Sequence, residues 1–175
     1  MDTNSRILCY DIRDLGKQLL PVGMLVVLDS VFNRVIRNRK LGRNTWIYID
    51  EIYLLFQHEY SANFLFTLWK RVRKYGACCT GLTQNVDDLL QSHTARTMLA
   101  NSEFLVMLNQ ASTDRIELAR LLNISDNQLS YITNVDFGRG LIKCGSSIVP
   151  FVDNFPRNTQ LYHLMSTKFL ESQAA

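Results

Sequence analysis

Two adjacent carboxylates follow an apolar run in the first third of the chain. The run TWIYI occupies residues 45–49, and Asp50 and Glu51 come directly after it. A carboxylate at the end of a buried strand can hold Mg²⁺ with its phosphate ligands, and a second acid beside it can orient and polarise an attacking water. The pair therefore has the form of a Walker B element, although a strand that simply ends in two solvated acids has the same sequence.

The next strand-like run along the chain also ends in polar side chains. The run ACCTGLTQ, residues 77–84, ends on Thr83 and Gln84. Because ligands of parallel sheets bind at the carboxyl ends of the strands, we expect Gln84 to emerge at the same edge as the carboxylates. An amide there can hydrogen-bond both a γ-phosphate oxygen and the attacking water. The alternative is that Gln84 only contributes to a helix cap with its neighbours.

Arginines in two motifs are candidates for contact with a phosphate group. Arg71 and Arg73 lie in WKRVRKYG at the predicted end of a helix, and Arg139 lies in FGRGL between glycines that would let the backbone approach an anion. An arginine finger that enters a neighbouring subunit's nucleotide site is one function of such residues. The alternative is a solvated helix end, where positive charge is favourable.

A phosphate-cradling loop of the form G-x-x-x-x-G-K-[ST] does not occur in the 175 residues. Gly16 and Lys17 supply the central dipeptide, but position 11 is Asp and position 18 is Gln. The histidines have no acid partners at metal-ligand spacing, and no Ser-His-Asp or Cys-His arrangement is indicated. A nucleotide site built on the carboxylates would therefore need its phosphate-binding loop from elsewhere.

Strand-like and helix-like segments alternate along the chain. The patterns predict strands at 6–12, 45–50, 77–84 and 103–109, and helices at 15–40, 62–74, 86–101 and 112–123. This alternation predicts an α/β fold with a mainly parallel sheet and helices on both faces. Residues 138–153 predict a β-hairpin that turns at Gly145-Ser146-Ser147, and residues 158–169 a C-terminal helix.

Several residues are predicted to mark the ends of helices. Ser61 is predicted to cap the helix over 62–74, and Gly76 to lie just past its end. Ser112 or Thr113 is expected to cap the helix over 112–123. The spacing of Ser125 and Gln128 indicates a capping box at the start of one more short helix.

The composition limits the class of protein. With 47% hydrophobic and 20% charged residues, the chain is predicted to form one globular domain over residues 1–175. The net charge is +3, and the basic residues between 34 and 43 can face DNA, a partner or solvent. The four cysteines predict buried thiols in a reducing compartment. The sequence has neither a membrane-spanning run nor a signal-peptide core, so a soluble cytoplasmic domain is predicted.

The motifs together resemble a known family. The series YDIRDLG, LVVLDSVFNRVIRNR, TWIYIDEIYLLF, WKRVRKYGACCTGLTQNVDDLL and FGRGLIKCG is similar to the C-terminal ATPase domain of the large conjugal-transfer ATPases of type IV secretion systems. The resemblance covers nearly the whole chain in order. It implies a RecA-like P-loop NTPase core in which Asp50 and Glu51 match the Walker B motif and Gln84 the sensor glutamine. Arg71 and Arg73 match a motif assigned to contacts in trans, and Arg139 a glycine-flanked position near the end of the core.

The resemblance also implies an activity and an assembly. The family hydrolyses ATP with Mg²⁺ to energise assembly of the secretion channel and pilus and the transfer of substrates. Its members are related to hexameric DNA translocases and work with other secretion components on the cytoplasmic side of the inner membrane. The family's P-loop strand would precede residue 1, so this chain is expected to be the distal part of the motor domain, inactive alone and prone to self-association. A non-catalytic docking module and a related DNA translocase are the alternatives.

Overall fold

The computed structural model describes residues 5–12, 14–16, 18–84, 86–110 and 112–166, without the side chains of 112–114. The chain divides into two compact units, Met1–Asn101 and Ser102–Ala175. The described part of each unit has its own β-sheet.

Unit 1 alternates helices and strands. Its elements are α1 (Leu20–Lys40), β1 (Thr45–Ile49), a 3-10 helix (Ile52–Phe56), α2 (Glu59–Val72), a second 3-10 helix (Arg73–Tyr75), β2 (Ala77–Gly81), α3 (Val86–Gln91) and α4 (His93–Ala100). The first helix begins later than the sequence predicts because Pro21 occupies its first turn, where a residue without an amide hydrogen is tolerated.

The core of unit 1 lies on one face of a parallel strand pair. Thr45 pairs with Ala77 and Ile49 with Gly81, so β1 and β2 run in the same direction and in register. Ile47 of β1 is buried, as are Leu65 and Leu68 on the inner face of α2. Burial of each such side chain stabilises the fold by about 1.5–3 kcal/mol. Helices therefore cover one face of the strand pair, and the pairing holds the carboxyl ends of the two strands in a fixed register.

The other face of the strand pair is open. Trp46 and Tyr48 of β1 are 65% and 69% exposed, because successive side chains of a strand point to opposite faces. Cys78 and Thr80, their register partners on β2, are exposed as well.

The end of α2 and the start of β2 are connected by a short, well-packed segment. Gly76 adopts the left-handed conformation with φ 68° at the end of the 3-10 helix, which confirms the predicted helix stop. Tyr75 packs edge-on against Phe32 of α1, and the Arg39 guanidinium lies over the Tyr75 ring. These contacts fix where β2 enters the sheet.

The prediction that Ser61 caps the following helix is wrong. The helix begins at Glu59 with His58 at its N-cap, and Ser61 lies within it, 1% exposed. The Ser61 hydroxyl oxygen lies 2.6 Å from the Leu55 carbonyl oxygen and 3.0 Å from that of His58, so its proton is directed back toward the chain that precedes the helix. It instead ties the 3-10 helix after β1 to α2.

Unit 2 is built on an antiparallel sheet. Its elements are β3 (Phe104–Met107), α5 (Ser112–Leu122), α6 (Asp126–Leu129), a 3-10 helix (Ser130–Ile132), β4 (Arg139–Cys144), β5 (Ser147–Val152) and α7 (Gln160–Met165). The strand order is β3-β4-β5. Ile132 and Leu141 are fully buried in its interior.

The predicted ends of unit 2 elements are largely confirmed. Ser125 and Gln128 form the expected capping box at the start of α6. The hairpin turns at Gly145, whose φ of 57° suits a residue without a side chain, and a C-terminal helix follows it. The predicted caps Ser112 and Thr113 have side chains outside the described residues.

The mixed α/β fold is confirmed, with a difference in strand direction. Parallel pairing holds for β1 and β2, whereas the described strands of unit 2 are all antiparallel. Alternation of strands and helices does not by itself fix the direction in which the next strand enters a sheet. The turn at Gly145 also forces β5 to run against β4.

Two further segments differ from their predictions. Residues 6–12 form no strand in the described structure, and a 3.0 Å hydrogen bond between the hydroxyls of Tyr10 and Ser30 joins this segment to α1. The helix predicted over 86–101 is two helices, because the Ser92 hydroxyl accepts a hydrogen bond from the Ala95 amide and starts α4 afresh.

The expectation of buried thiols is also wrong for most of the cysteines. All are free, and Cys9, Cys78 and Cys144 are exposed. Cys79 points inward from β2, and burial, with a smaller contribution from Cys78, raises its pKa from 9.0 to about 12. The alternation along β2 explains why adjacent cysteines differ so much.

No helix in the described parts of the chain has both the length and the apolar character needed to cross a bilayer.

Candidate functional site

The carboxyl edge of the parallel strand pair brings together predicted site residues. Asp50 and Glu51 follow β1, and Gln84 follows β2 after Leu82 and Thr83. Because Ile49 lies opposite Gly81 at the ends of the two strands, the side chains that follow them emerge at the same edge. The prediction that these residues lie close together is therefore supported by the register of the strands.

Backbone hydrogen bonds hold the acidic turn against the end of β2. The Leu82 amide donates to the Ile49 carbonyl at 2.8 Å, and the Ile52 amide donates to the Leu82 carbonyl at 2.9 Å. One residue after β2 is thus bonded to both sides of the Asp50-Glu51 turn. The turn cannot shift relative to β2 without breaking these bonds.

Close packing reinforces the same turn. A Cβ atom on Gly81 would lie 2.5 Å from the Ile52 Cδ1 atom, which is closer than carbon atoms approach each other in folded proteins. Ile52 is itself only 5% exposed. Gly81 therefore permits Ile52 to lie directly over the end of β2, and a side chain at position 81 would require the Ile52 side chain to shift.

Glu51 occupies an uncommon backbone conformation. Its φ of 47° and ψ of 49° place it in the left-handed region, which costs a residue with a Cβ atom about 1–2 kcal/mol. Its amide donates to the Asp50 Oδ1 atom at 3.0 Å. Conformations of this kind persist where the surrounding structure enforces them, and they cluster at functional sites.

The Glu51 side chain meets the loop after β2. The backbone amide of Gln84 donates to the Glu51 Oε2 atom across 3.5 Å, at the long end of hydrogen-bond distances. Asp50 and Gln84 are exposed, and Glu51 is half-buried. The site is therefore an open, acidic edge in which one carboxylate is oriented by a neighbouring backbone donor.

The donor set suits a magnesium ion that is shared with a phosphate ligand. The described residues contain no group of three or more His, Cys, Asp or Glu side chains that could enclose a metal. Mg²⁺ is usually bound by one or two carboxylates and completes its shell with waters and substrate phosphates. Asp50 beside Glu51 meets that requirement, whereas a metal held by protein ligands alone would need more donors.

Arg71 and Arg73 lie at the other end of the strand pair. Arg71 is in the last turn of α2 and Arg73 in the 3-10 helix that precedes β2, and both are exposed. The length of β2, about 13 Å at 3.3 Å per residue, separates this amino end from the carboxyl edge. The structure therefore does not bring these arginines to the carboxylates of their own chain.

Arg139 has its own surroundings in unit 2. Its guanidinium lies 3.6 Å from the Asp136 carboxylate, and the two side chains are 52% and 81% exposed. The glycines beside it have a structural explanation: a Cβ atom on Gly138 would lie 2.3 Å from the Asp153 carbonyl oxygen, and one on Gly140 would lie 2.1 Å from that of Met107. Close approach of protein backbone, rather than of an anion, accounts for both.

Sequence reasoning missed the residues that hold the acidic turn. Neither Ile52 nor Leu82 carries chemistry, and the 3-10 helix after Glu51 was not predicted. Gly81 was the available signal, because a glycine within a strand often marks close approach of another segment.

The chain has a mixed α/β fold, and its candidate site lies at the carboxyl edge of a parallel strand pair. Residues 3–139 match the family described as TraG P-loop domain. This match covers well over half of the chain, so the chain belongs to that family, and the resemblance to the conjugal-transfer ATPases of type IV secretion systems is confirmed. The family's P-loop motif is not among the residues of this sequence.

A solved structure supports the assignment. The chain is similar to VirB4 of Thermoanaerobacter pseudethanolicus, with 25% sequence identity and a TM-score of 0.72. The similarity covers 83% of this chain and 40% of that one, so the chain corresponds to less than half the length of its relative. A search of curated protein sequences finds no match.

Proposed function

We propose that this chain is part of the ATP-hydrolysing motor that energises type IV secretion or conjugation, and that the acidic edge is its hydrolytic site. The observation that carries the proposal is the meeting of Asp50, Glu51 and Gln84 at one edge of a parallel strand pair, in a chain of the TraG P-loop family. The cofactors are ATP and Mg²⁺.

The two carboxylates have different functions in this proposal. Asp50 binds the Mg²⁺ ion, which offsets negative charge on the nucleotide phosphates. Glu51 orients the attacking water and accepts its proton. The left-handed backbone of Glu51 and the contact from the Gln84 backbone amide support this division, because they accompany a Glu51 carboxylate that lies beside the segment carrying Gln84.

Gln84 links the state of the nucleotide to the position of Glu51. Its side-chain amide contacts the γ-phosphate and the attacking water, while its backbone amide contacts the Glu51 carboxylate. Loss of the γ-phosphate therefore releases the segment after β2. Because Leu82 is bonded to both sides of the acidic turn, this release changes the environment of Glu51 directly.

Other parts of the site come from outside this copy of the chain. A phosphate-binding loop from another segment or chain completes the nucleotide site, and Arg71 or Arg73 acts on the nucleotide of a neighbouring copy. The location of these arginines at the amino end of β2 supports action in trans, since their own carboxylates lie at the opposite end. Arg139 is a third candidate for this role. The working assembly is a hexamer that contacts other secretion components at the cytoplasmic face of the inner membrane.

The test is ATP hydrolysis by the whole protein that carries this sequence. We expect Glu51→Gln to lower the hydrolysis rate by about 10²–10⁴-fold and to leave ATP binding intact, because only the water-orienting carboxylate is lost. Glu59→Gln is the matched control, since Glu59 is an exposed acid in the first turn of α2 and should not affect hydrolysis. Wild-type turnover by Glu51→Gln would show that the acidic edge is not hydrolytic and would favour the docking-module alternative.

A further inference from the structure

A cavity of about 460 Å³ opens in unit 2 beside the loop that leads into β4. Its lining is mainly aromatic and aliphatic, with one cation, and consists of Ser130, Tyr131, Val135, Arg139, Pro150, Phe151 and Val152. Its volume lies in the range of ligand-binding pockets, about 300–1,000 Å³. An apolar wall beside a guanidinium favours a ligand that presents an apolar group next to an anion.

The loop at the rim of this cavity carries such a pair of groups. Phe137 is 98% exposed, more than any other large apolar side chain in the described residues. Asp136, its neighbour, has an 81% exposed side chain. The loop residues Asp136 and Phe137 and the adjacent cavity together form one surface patch. This patch presents both an aromatic ring with an adjacent carboxylate and a cavity whose chemistry suits them.

The loop is held in the conformation that displays Phe137. Asn134 and Gly138, on either side, both have positive φ angles, of 50° and 77°. The Asp153 amide donates to the Gly138 carbonyl at 2.6 Å, and the Asp153 carbonyl oxygen leaves no room for a Cβ atom on Gly138. A ring presented by a fixed loop loses little conformational freedom when it binds.

We propose that Phe137 of one copy inserts into this cavity of a second copy, in a two-fold contact in which Asp136 of each copy pairs with Arg139 of the other. In a two-fold interface the same patch serves both copies, so a patch that carries both the inserting group and its receptor is self-complementary. The ion pair within one copy spans 3.6 Å between exposed groups and is easily exchanged for one between copies.

The size of the patch sets the strength of the contact. An aromatic side chain buries about 150–250 Å², so two of them supply less than the roughly 1,000 Å² of a stable interface. The dimer is therefore weak and depends on concentration. A two-fold contact also closes on itself and cannot extend into a ring, so this interface is separate from the proposed hexamer and does not depend on the proposed function.

Sedimentation equilibrium of the 175-residue chain over a wide concentration range tests the contact. We expect a monomer–dimer equilibrium whose dissociation constant rises at least about tenfold in Phe137→Ala, because apolar surface is lost from both copies. Tyr60→Ala is the control, since Tyr60 is 83% exposed but lies on α2 in unit 1. A wild-type chain that stays monomeric throughout, or equal weakening in both variants, overturns the proposal.

Charge exchange tests the pairing between copies. Asp136→Arg and Arg139→Asp should each dimerise more weakly than the wild type, because each places like charges together. An equimolar mixture of the two variants should form a heterodimer that is tighter than either homodimer, since both contacts then join opposite charges. No preference for the heterodimer would contradict the proposal. Loss of dimer in Trp46→Ser, with Phe137→Ala unaffected, would instead place the contact on the open face of β1.

Discussion

The two ends of the β1–β2 strand pair differ in charge and in how firmly their side chains are held. At the carboxyl end, the acidic turn of Asp50 and Glu51 is bonded to Leu82 on both sides, and Ile52, the residue after it, packs against Gly81. At the amino end, Arg71 and Arg73 are exposed side chains on the last turns of a helix. A site that must orient water needs the first arrangement, whereas residues that reach a second molecule need the second. This difference agrees with the proposed function, in which the acidic end hydrolyses ATP and the basic end acts on the nucleotide of a neighbouring copy.

Removing the basic end should have an effect as large as that of Glu51→Gln at the acidic end. In the whole protein, the double variant Arg71→Ala/Arg73→Ala should lose ATP hydrolysis by about 10³-fold, the size of effect that arginine fingers have. Steady-state hydrolysis measures this loss. Lys74→Ala is the control, because Lys74 is an exposed cation in the same segment. Equal losses in the control and the double variant would indicate a general effect of charge at this end.

A smaller effect on stability should follow from disturbing the acidic end. Gly81→Ala places a Cβ atom 2.5 Å from the Ile52 side chain and should lower the free energy of unfolding by about 1–3 kcal/mol. Gly16→Ala, where nothing lies within 4 Å, should have little effect. Urea denaturation of the 175-residue chain measures both. If Ile52→Val in the same chain restores part of the loss, the contact with Ile52 is the cause.

The left-handed conformation of Glu51 predicts a substitution that raises the free energy of unfolding. Glu51→Gly relieves the left-handed backbone and should raise the free energy of unfolding by up to about 1 kcal/mol, even though the proposed catalytic carboxylate is lost. Asp50→Gly, whose φ is not positive, should lower stability by about 0.5–1 kcal/mol. Destabilisation by both glycines would show that the Glu51 turn is not strained.

The smallest expected effect on stability at neutral pH concerns Cys78 and Cys79, which lie on opposite faces of β2. Burial raises the pKa of Cys79 to about 12, so its thiol stays protonated in the folded chain while the unfolded chain ionises above pH 9. The contribution of Cys79 to stability is therefore complete below pH 9 and is lost as the pH rises toward 12. Cys79→Val should show a shallower loss of stability between these values than the wild type. Cys78→Ala, at an exposed thiol, should follow the wild-type curve.

Local patterns in the sequence were sufficient to predict the acidic edge. An apolar run that ends in Asp50 and Glu51, and a second that ends near Gln84, imply one edge as soon as the strands are parallel. Burial periodicity and the capping box at Ser125 likewise depend on neighbours in sequence. These features form within a few residues, so the sequence shows them directly.

Features that depend on distant contacts could not be predicted in this way. The left-handed turn at Glu51 follows from bonds to Leu82, which lies far away in sequence. The antiparallel direction of β3 against β4 depends on how the intervening helices return the chain. Exposure of Trp46 and Cys78 depends on which face of the strand pair the helices cover, and an apolar run does not specify that face.

The most direct measurement of the central claim mixes two inactive variants of the whole protein. Glu51→Gln lacks the carboxylate that is proposed to orient water, and Arg71→Ala/Arg73→Ala lacks the arginines proposed to reach a neighbour's nucleotide. Each variant should be inactive alone. If the two ends serve different copies, random mixing places an intact carboxylate against an intact arginine at roughly a quarter of the contacts, and hydrolysis reappears in the mixture. A mixture no more active than its separate components would contradict the assignment of the basic end to a neighbouring copy.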